Sequence, residues 1–93
     1  MIRTRSGHIL KTRSDLLLLL IEAHCHNDGR YWVAQAGEQY VETVDEWVTV
    51  YGGGDMRALH SLEEKGYISA VKAYPAVAYR ITEDGKLRAQ TLA

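Results

Sequence analysis

The sequence predicts a small α+β domain of the winged helix-turn-helix class, with a three-helix core, a β-hairpin wing and a short C-terminal helix. First, residues 55–65 have the apolar spacing of an amphipathic helix, which Gly66 ends. Second, two segments rich in β-branched and aromatic residues follow, 68–72 and 77–81, separated by a proline that excludes one continuous strand. Third, the apolar run 16–21 predicts a buried helix near the N-terminus. Helix, glycine, strand, turn and strand, in that order, are typical of a recognition helix followed by a wing.

The helix and the wing also resemble a known family. The motif RALHSLEEKGYI, followed by AYRITEDGKL, resembles the RALxxLEEKGLI and YxLTxxG stretches of small bacterial winged-helix regulators of the MarR and PadR kind. The resemblance covers roughly residues 56–88 and implies a DNA-binding protein. The chain departs from the family pattern at Gly53, Gly54 and Asp55, because a Ser or Thr often stands at that helix start. We expect Asp55 to cap the helix and, as an acid, to weaken phosphate contacts there.

Length and composition indicate one globular domain. The chain has 93 residues, of which 46% are hydrophobic and 25% are charged. Its longest apolar run, 16–21, is far shorter than the about 20 residues that a membrane span needs, and no signal-peptide pattern opens the chain. The lone cysteine, Cys25, suits a reducing compartment. We therefore expect a cytoplasmic protein with no membrane segment.

Charge is distributed unevenly along the chain, although the formal net charge is only −1. Residues 1–14 carry four basic side chains and no acid, whereas the remainder carries seven Lys or Arg against twelve Asp or Glu. This asymmetry predicts a basic N-terminal arm, residues 1–13, beside a single winged-helix domain, residues 14–93. The alternative is a solvated, partly disordered terminus.

The first helix has a recognisable start. Residues 12–15 have the Thr-x-x-Asp form of a capping box, so we expect a helix from here to about His26, closed by the turn residues 27–29. A final helix is expected after Thr82, whose hydroxyl can cap it. Gly85 inside that helix costs about 1 kcal/mol relative to alanine, which predicts a short helix.

Residues 31–51 allow two interpretations. Twelve of these 21 residues are Val, Thr, Tyr or Trp, which favours strands. The apolar residues between Tyr40 and Tyr51 nevertheless fall at helical spacing. Because a winged helix needs a strand and then a helix here, we expect a strand at Tyr31–Ala34 and a helix at Glu38–Val50. The alternative is a β-hairpin insertion that pairs residues 30–35 with 47–51.

The candidate DNA-binding residues fall into three groups. The recognition helix offers side chains that reach base edges, with arginine to guanine the commonest pairing. The wing and the arm offer contacts to phosphates or to a minor groove. The alternatives without DNA binding are a solvated helix face, an ion pair between Arg80 and a nearby acid, and packing of Tyr74 on the turn proline. The candidates are Met56, Arg57, His60 and Ser61 on the helix, Lys72, Tyr74 and Arg80 on the wing, and Arg3, Arg5, Lys11 and Arg13 on the arm.

No pattern in the sequence predicts catalysis, a cofactor or a metal. His24, Cys25 and His26 are consecutive, and consecutive helical residues point about 100° apart, so these three cannot converge on one ion. No nucleophile elbow or phosphate loop is present in the sequence. We therefore expect no enzyme activity.

Two function classes follow. The first is sequence-specific binding of double-stranded DNA as a small transcription regulator. If such a regulator is a homodimer, it dimerises through a surface other than the short last helix. The second is a winged-helix protein-interaction module without DNA binding. Its support is an acidic segment with two aromatic residues at risk of exposure: Glu38, Glu42, Asp45 and Glu46, with Trp32 and Trp47.

Overall fold

A computed structural model describes residues 2–25, 30–72 and 76–93. These residues form an α+β domain of three α-helices and two antiparallel sheets. In chain order the elements are α1 (Arg13–Cys25), β1 (Trp32–Val33), β2 (Gly37–Val41), β3 (Glu46–Val50), a 3-10 turn (Gly52–Asp55), α2 (Met56–Glu64), β4 (Ile68–Lys72), β5 (Ala78–Ile81) and α3 (Glu83–Leu92).

Helix α1 is the centre of the molecule, as its apolar run predicts. Residues 16–21 are all buried, and α1 contacts α2, α3, β1, β2 and β5. The predicted start is confirmed, because the Asp15 amide donates to the Thr12 hydroxyl oxygen at 3.1 Å. The Asp15 carboxylate instead lies 3.7 Å from the Arg88 guanidinium. The predicted helix end at His26 and the turn at 27–29 lie outside the described residues.

No helix among the described residues combines the length and the apolar character needed to cross a bilayer.

The three-stranded sheet has the order β1-β5-β4 and contains the predicted wing. Strand β5 pairs with β4 from Ile68 opposite Ile81, with an irregularity between Ala70 and Lys72. On its other side, β5 pairs with β1, where Trp32 lies opposite Tyr79. Trp32 is 1% exposed, so the expectation that it lies on the surface is wrong.

The expected helix at Glu38–Val50 is wrong, because these residues form the β2–β3 hairpin. The turn between the strands is fixed by Asp45 at φ 53°, and the amide of Asp45 donates to Glu42. The valines of the hairpin face the common core. Alternation along the two strands therefore buries these apolar side chains as effectively as one face of a helix would. Because both structures bury the valines, the high strand propensity of Val, Thr, Tyr and Trp favours the hairpin over the helix.

The hairpin alternative was closer, but its pairing differs. Residues 32–33 pair with β5, and it is Gly37–Val41 that pairs with β3. The three-helix core of the prediction therefore lacks its middle helix within the described residues. Helix α2 is preceded instead by the hairpin and the 3-10 turn.

Helix α2 ends as predicted. Gly66 has φ +77°, its amide donates to Glu63, and the Tyr67 amide donates to Leu62 at 3.0 Å. These two bonds form a Schellman motif, which satisfies the last free carbonyls of the helix. The motif sets the direction in which the chain leaves α2 and enters β4.

Helix α3 is capped as predicted, and it is short as predicted. The Thr82 hydroxyl accepts from the Gly85 amide at 3.0 Å, and α3 runs for ten residues. A side chain at Gly85 would place its Cβ 2.1 Å from the Tyr67 carbonyl oxygen. The glycine is therefore what lets α3 lie directly against the end of α2.

Candidate nucleic-acid interface

Helix α2 presents a polar face, as its periodicity predicts. Leu59 and Leu62 are buried against the core, whereas Arg57, His60 and Glu64 are exposed. The remaining two candidates on this helix, Met56 and Ser61, are half-buried at the edges of that face. The side chains of Arg57 and His60 have no hydrogen bond or ion pair with any residue that the structure describes. They are therefore available to a ligand.

Asp55 does not cap α2, so that expectation is wrong. Its side chain makes no cap hydrogen bond, because the backbone enters the helix directly from the 3-10 turn with φ −96° and ψ 0°. The carboxylate is 2% exposed and accepts from Arg13 Nε at 2.9 Å and from the Tyr51 amide at 2.8 Å. An acid that is buried and paired in this way does not face a phosphate at the helix start.

Arg13 belongs to α1 and not to a basic arm. Besides its bond to Asp55, Arg13 donates through Nη2 to the Thr49 carbonyl at 2.6 Å, and its guanidinium lies 5.1 Å from the Tyr51 ring centre. These contacts join α1, the end of β3 and the start of α2. Arg13 therefore joins the start of α1 to the end of the β2–β3 hairpin and to the 3-10 turn that precedes α2.

A shallow groove lies between the starts of α1 and α2. It has a volume of about 430 Å³ and is lined by Arg13, Ser14, Gly54, Arg57, Ala58 and Ser61. The unpaired guanidinium of Arg57 and two hydroxyl groups border it. Charge-assisted bonds from such donors suit a phosphate oxygen. Ser14 was missed by sequence reasoning, because its only signal is a place in the first turn of α1.

The wing residues are only partly described. Arg80 is exposed on β5 opposite Ser69, which is also exposed, and it makes no ion pair within the described ranges. Lys72 ends β4 opposite Ala78. Tyr74 lies outside the described residues. The described part of the predicted wing therefore contributes one exposed guanidinium, that of Arg80.

The basic N-terminal residues fold back on themselves. Arg3 bridges to Ile9, and the Leu10 amide donates to Ile2, so residues 2–10 form a small hairpin. Leu10 is buried in the core. Arg3 and Lys11 are exposed on this hairpin. The terminus is thus packed on the domain and does not extend from it as an arm.

Arg5 ties this N-terminal hairpin to the β2–β3 hairpin. Its amide donates to the Thr43 carbonyl at 2.8 Å, and its guanidinium lies 3.7 Å from the Glu42 carboxylate. Both side chains of the ion pair are largely exposed, so the pair contributes little to stability. Arg5 remains open to solvent.

Of the three consecutive residues considered as metal ligands, His24 and Cys25 are described, and His26 lies outside the described residues. No group of three His, Cys, Asp or Glu that fits a metal ion occurs among the described residues. The Cys25 thiol is buried 3.8 Å from the Tyr79 carbonyl oxygen, and burial raises the pKa of the thiol above its ordinary value. His24 is exposed at the end of α1.

Comparison of the chain with protein-family models, curated proteins and solved structures finds no match. The candidate interface is therefore defined by its own geometry. It consists of the exposed face of α2, the groove beside α1 and Arg80 on the wing.

Proposed function

We propose that the protein binds duplex DNA as a small transcription regulator, with α2 in the major groove. The observation that carries this proposal is the pair of exposed, unpartnered side chains, Arg57 and His60, on a helix anchored by its apolar side. The order α2, β4, β5 also matches a recognition helix followed by a wing, as in the winged-helix regulators that the sequence resembles.

The dimensions of α2 suit this role. Its nine residues span about 14 Å, and a major groove about 12 Å wide admits a helix. Arg57 can donate two bonds to one guanine, and His60 and Ser61 lie one turn further along the same side. Met56 offers an apolar contact at the first turn.

Phosphate contacts would come from the elements around α2. The groove beside α1 offers the Ser14 hydroxyl, and the wing offers Arg80. Arg3 and Arg5 on the N-terminal hairpin provide further cations at the surface. The start of α1 thereby replaces the backbone contacts that a middle helix would make.

Fluorescence anisotropy against duplex DNA tests the proposal. We expect affinity to fall steeply between about 50 and about 200 mM salt, because bound phosphates release counterions. Arg57→Ala should weaken binding about tenfold and relax the preference for guanine at one position, as expected for loss of one bidentate base contact. Arg88→Ala removes the same charge from α3 and serves as the control.

Equal weakening by Arg57→Ala and Arg88→Ala would contradict a specific role for α2. Affinity that does not change with salt would contradict phosphate contact altogether. Removal of residues 1–13 is not a suitable test, because it also removes Arg13 from Asp55. Arg3→Ala with Arg5→Ala tests the N-terminal cations without that loss.

A homodimer on a palindromic site is part of the same proposal, because two-fold symmetry would double the base contacts. Sedimentation equilibrium with and without the duplex measures it. A protein that stays monomeric on DNA would limit recognition to one half-site.

A further inference from the structure

The β2–β3 hairpin has an outward side that carries aromatic rings. Tyr40 on β2 lies directly opposite Trp47 on β3, and their ring centres are 5.8 Å apart in an edge-to-face arrangement. Trp47 is 68% exposed and Tyr40 is 44% exposed. Alternation along the strands places Glu38 and Thr49 on the same side. We call this side, residues 38, 40, 47 and 49, the outer hairpin face.

The Tyr40 ring on this face is held by a hydrogen bond although it is exposed, and the Trp47 ring packs against it. The Tyr40 hydroxyl donates to the Asp45 carboxylate, and this hydrogen bond raises the pKa of Tyr40 above its ordinary value. On the inward side, the indole of Trp32 donates to Gln39 at 3.0 Å and fixes β2 on the core. Rigid aromatic side chains lose little entropy when they bind.

The hairpin is also the acidic part of the chain. Residues 37–50 contain Glu38, Glu42, Asp45 and Glu46 and no Lys or Arg, a charge of −4. Since the whole chain carries −1, the rest carries +3. Nucleic acid is repelled from such a surface. The outer hairpin face is therefore suited to a different ligand from the face of α2.

Aromatic faces beside carboxylates attract cations by two additive effects. A guanidinium or ammonium group gains a cation–π contact with the ring and an ion pair with the acid. The molecule contains both contacts close by: Arg13 over the Tyr51 ring, and Arg5 beside Glu42 at the rim of this face. Both arginines are already engaged in these contacts, so the cation that would occupy the outer hairpin face is a different one.

From this charge complementarity we infer that the outer hairpin face docks a lysine- or arginine-bearing segment of a partner protein, with a cationic side chain against Trp47 and Tyr40 and the flanking carboxylates pairing with its neighbours. The inference does not depend on DNA binding, because it uses no residue of α2. The aromatic anchor, Trp47 with Tyr40, would mainly determine the dissociation rate constant of the complex.

A random peptide library displayed on phage provides an unbiased probe. The library is selected on the immobilised wild-type protein after removal of phage that bind Trp47→Thr. Threonine keeps strand propensity, so the hairpin should remain folded, and chemical denaturation of the variant checks this. We expect the selected peptides to be enriched in Lys and Arg relative to the starting library.

One selected peptide is then measured by anisotropy against matched variants at about 0.15 M salt. Trp47→Thr should weaken binding by about tenfold or more, as expected for loss of a central aromatic anchor. Glu38→Gln should also weaken it, whereas Glu64→Gln, which removes the same charge from the exposed face of α2, should not.

Three outcomes would overturn the inference. Selection of no peptides, or of neutral or acidic ones, excludes a cationic ligand. Equal weakening by Glu38→Gln and Glu64→Gln assigns binding to a general attraction to negative charge. Self-association of the wild type that disappears in Trp47→Thr places a second copy on the face instead. Unchanged DNA binding in Trp47→Thr keeps the two proposals separate.

Discussion

Two parts of the molecule are held in place by contacts that differ in sequence separation. One is the β2–β3 hairpin, and the other, called the helix–wing part, consists of residues 56–72 and 76–92. In the helix–wing part, Gly66, Tyr67, Thr82 and Gly85 meet at one point, where the end of α2 joins the start of α3. The hairpin is held from outside by side chains of other elements. The hydrogen-bonded partners of the first part are therefore 15 or 16 residues apart in the chain, and those of the second part are farther apart.

The partners of the hairpin show how distant these contacts are. Arg13 reaches Thr49 across 36 residues of chain and Asp55 across 42. A two-stranded hairpin has marginal stability by itself, so it depends on such partners and on its buried valines. The comparison predicts that a change at the junction affects α2 and α3 most, whereas a change at Arg13 affects the hairpin most.

Gly85→Ala should have the largest effect on stability. The new methyl group would lie 2.1 Å from a backbone oxygen and 2.8 Å from Ile81 Cγ1, so α3 must shift. We expect the free energy of unfolding to fall by about 3 kcal/mol, the upper end for overpacking. Urea denaturation measures it. Gly53→Ala is the control, because nothing lies within 4 Å of its Cβ position.

Arg13→Met should have the next largest effect and tests the hairpin. It leaves the buried Asp55 carboxylate without its cation, which costs about 3 kcal/mol for a buried pair and somewhat less here because the Arg13 side chain is 34% exposed. Hydrogen exchange should rise first in residues 37–50. Adding Asp55→Asn should restore part of the loss, and Arg57→Met should change stability by less than about 0.5 kcal/mol. Exchange that rises uniformly would contradict the distinction between the two parts.

Thr82→Ala should cost about 1 kcal/mol, because it removes the cap of α3. The hydroxyl also donates to the Gly66 carbonyl at 2.6 Å, so the loss should appear at the end of α2 as well. Thermal unfolding measures the loss. Thr91→Ala removes an exposed hydroxyl bonded only to Arg88 and should be nearly neutral; an equal loss in both variants would rule out the junction.

The smallest effect concerns Cys25, whose thiol lies against β5. Because burial raises the pKa of its thiol, folding favours the protonated form. Stability from this group is fully present below the ordinary thiol pKa of about 8.5 and is lost as pH rises from there through the folded-state pKa. A thiol reagent should label the folded protein only at the rate of unfolding. Rapid labelling at neutral pH would contradict the buried position.

Sequence reasoning predicted those elements whose signals lie within a few residues of each other. The Thr12 cap, the Gly66 stop and the Thr82 cap are of this kind, and all three are present. Residues 38–50 were not predicted, because their apolar positions satisfy the helical period and the strand period together. The contact of Gly85 with Tyr67 depends on how two helices meet, which no local pattern contains.

The candidate site divides in the same way. The exposure of Arg57 and His60 follows from helical periodicity alone. The burial of Asp55 does not, because it depends on an arginine that lies far away in sequence. The groove beside Ser14 likewise requires knowledge of how α1 and α2 pack.

The two tryptophans of this chain are a natural pair of optical reporters. Trp32 is 1% exposed and its ring lies 6.5 Å from that of Tyr79, whereas Trp47 is 68% exposed. Their emission should differ in wavelength and in access to a dissolved quencher. One unlabelled sample can therefore report the integrity of the core through Trp32 and events at the hairpin surface through Trp47.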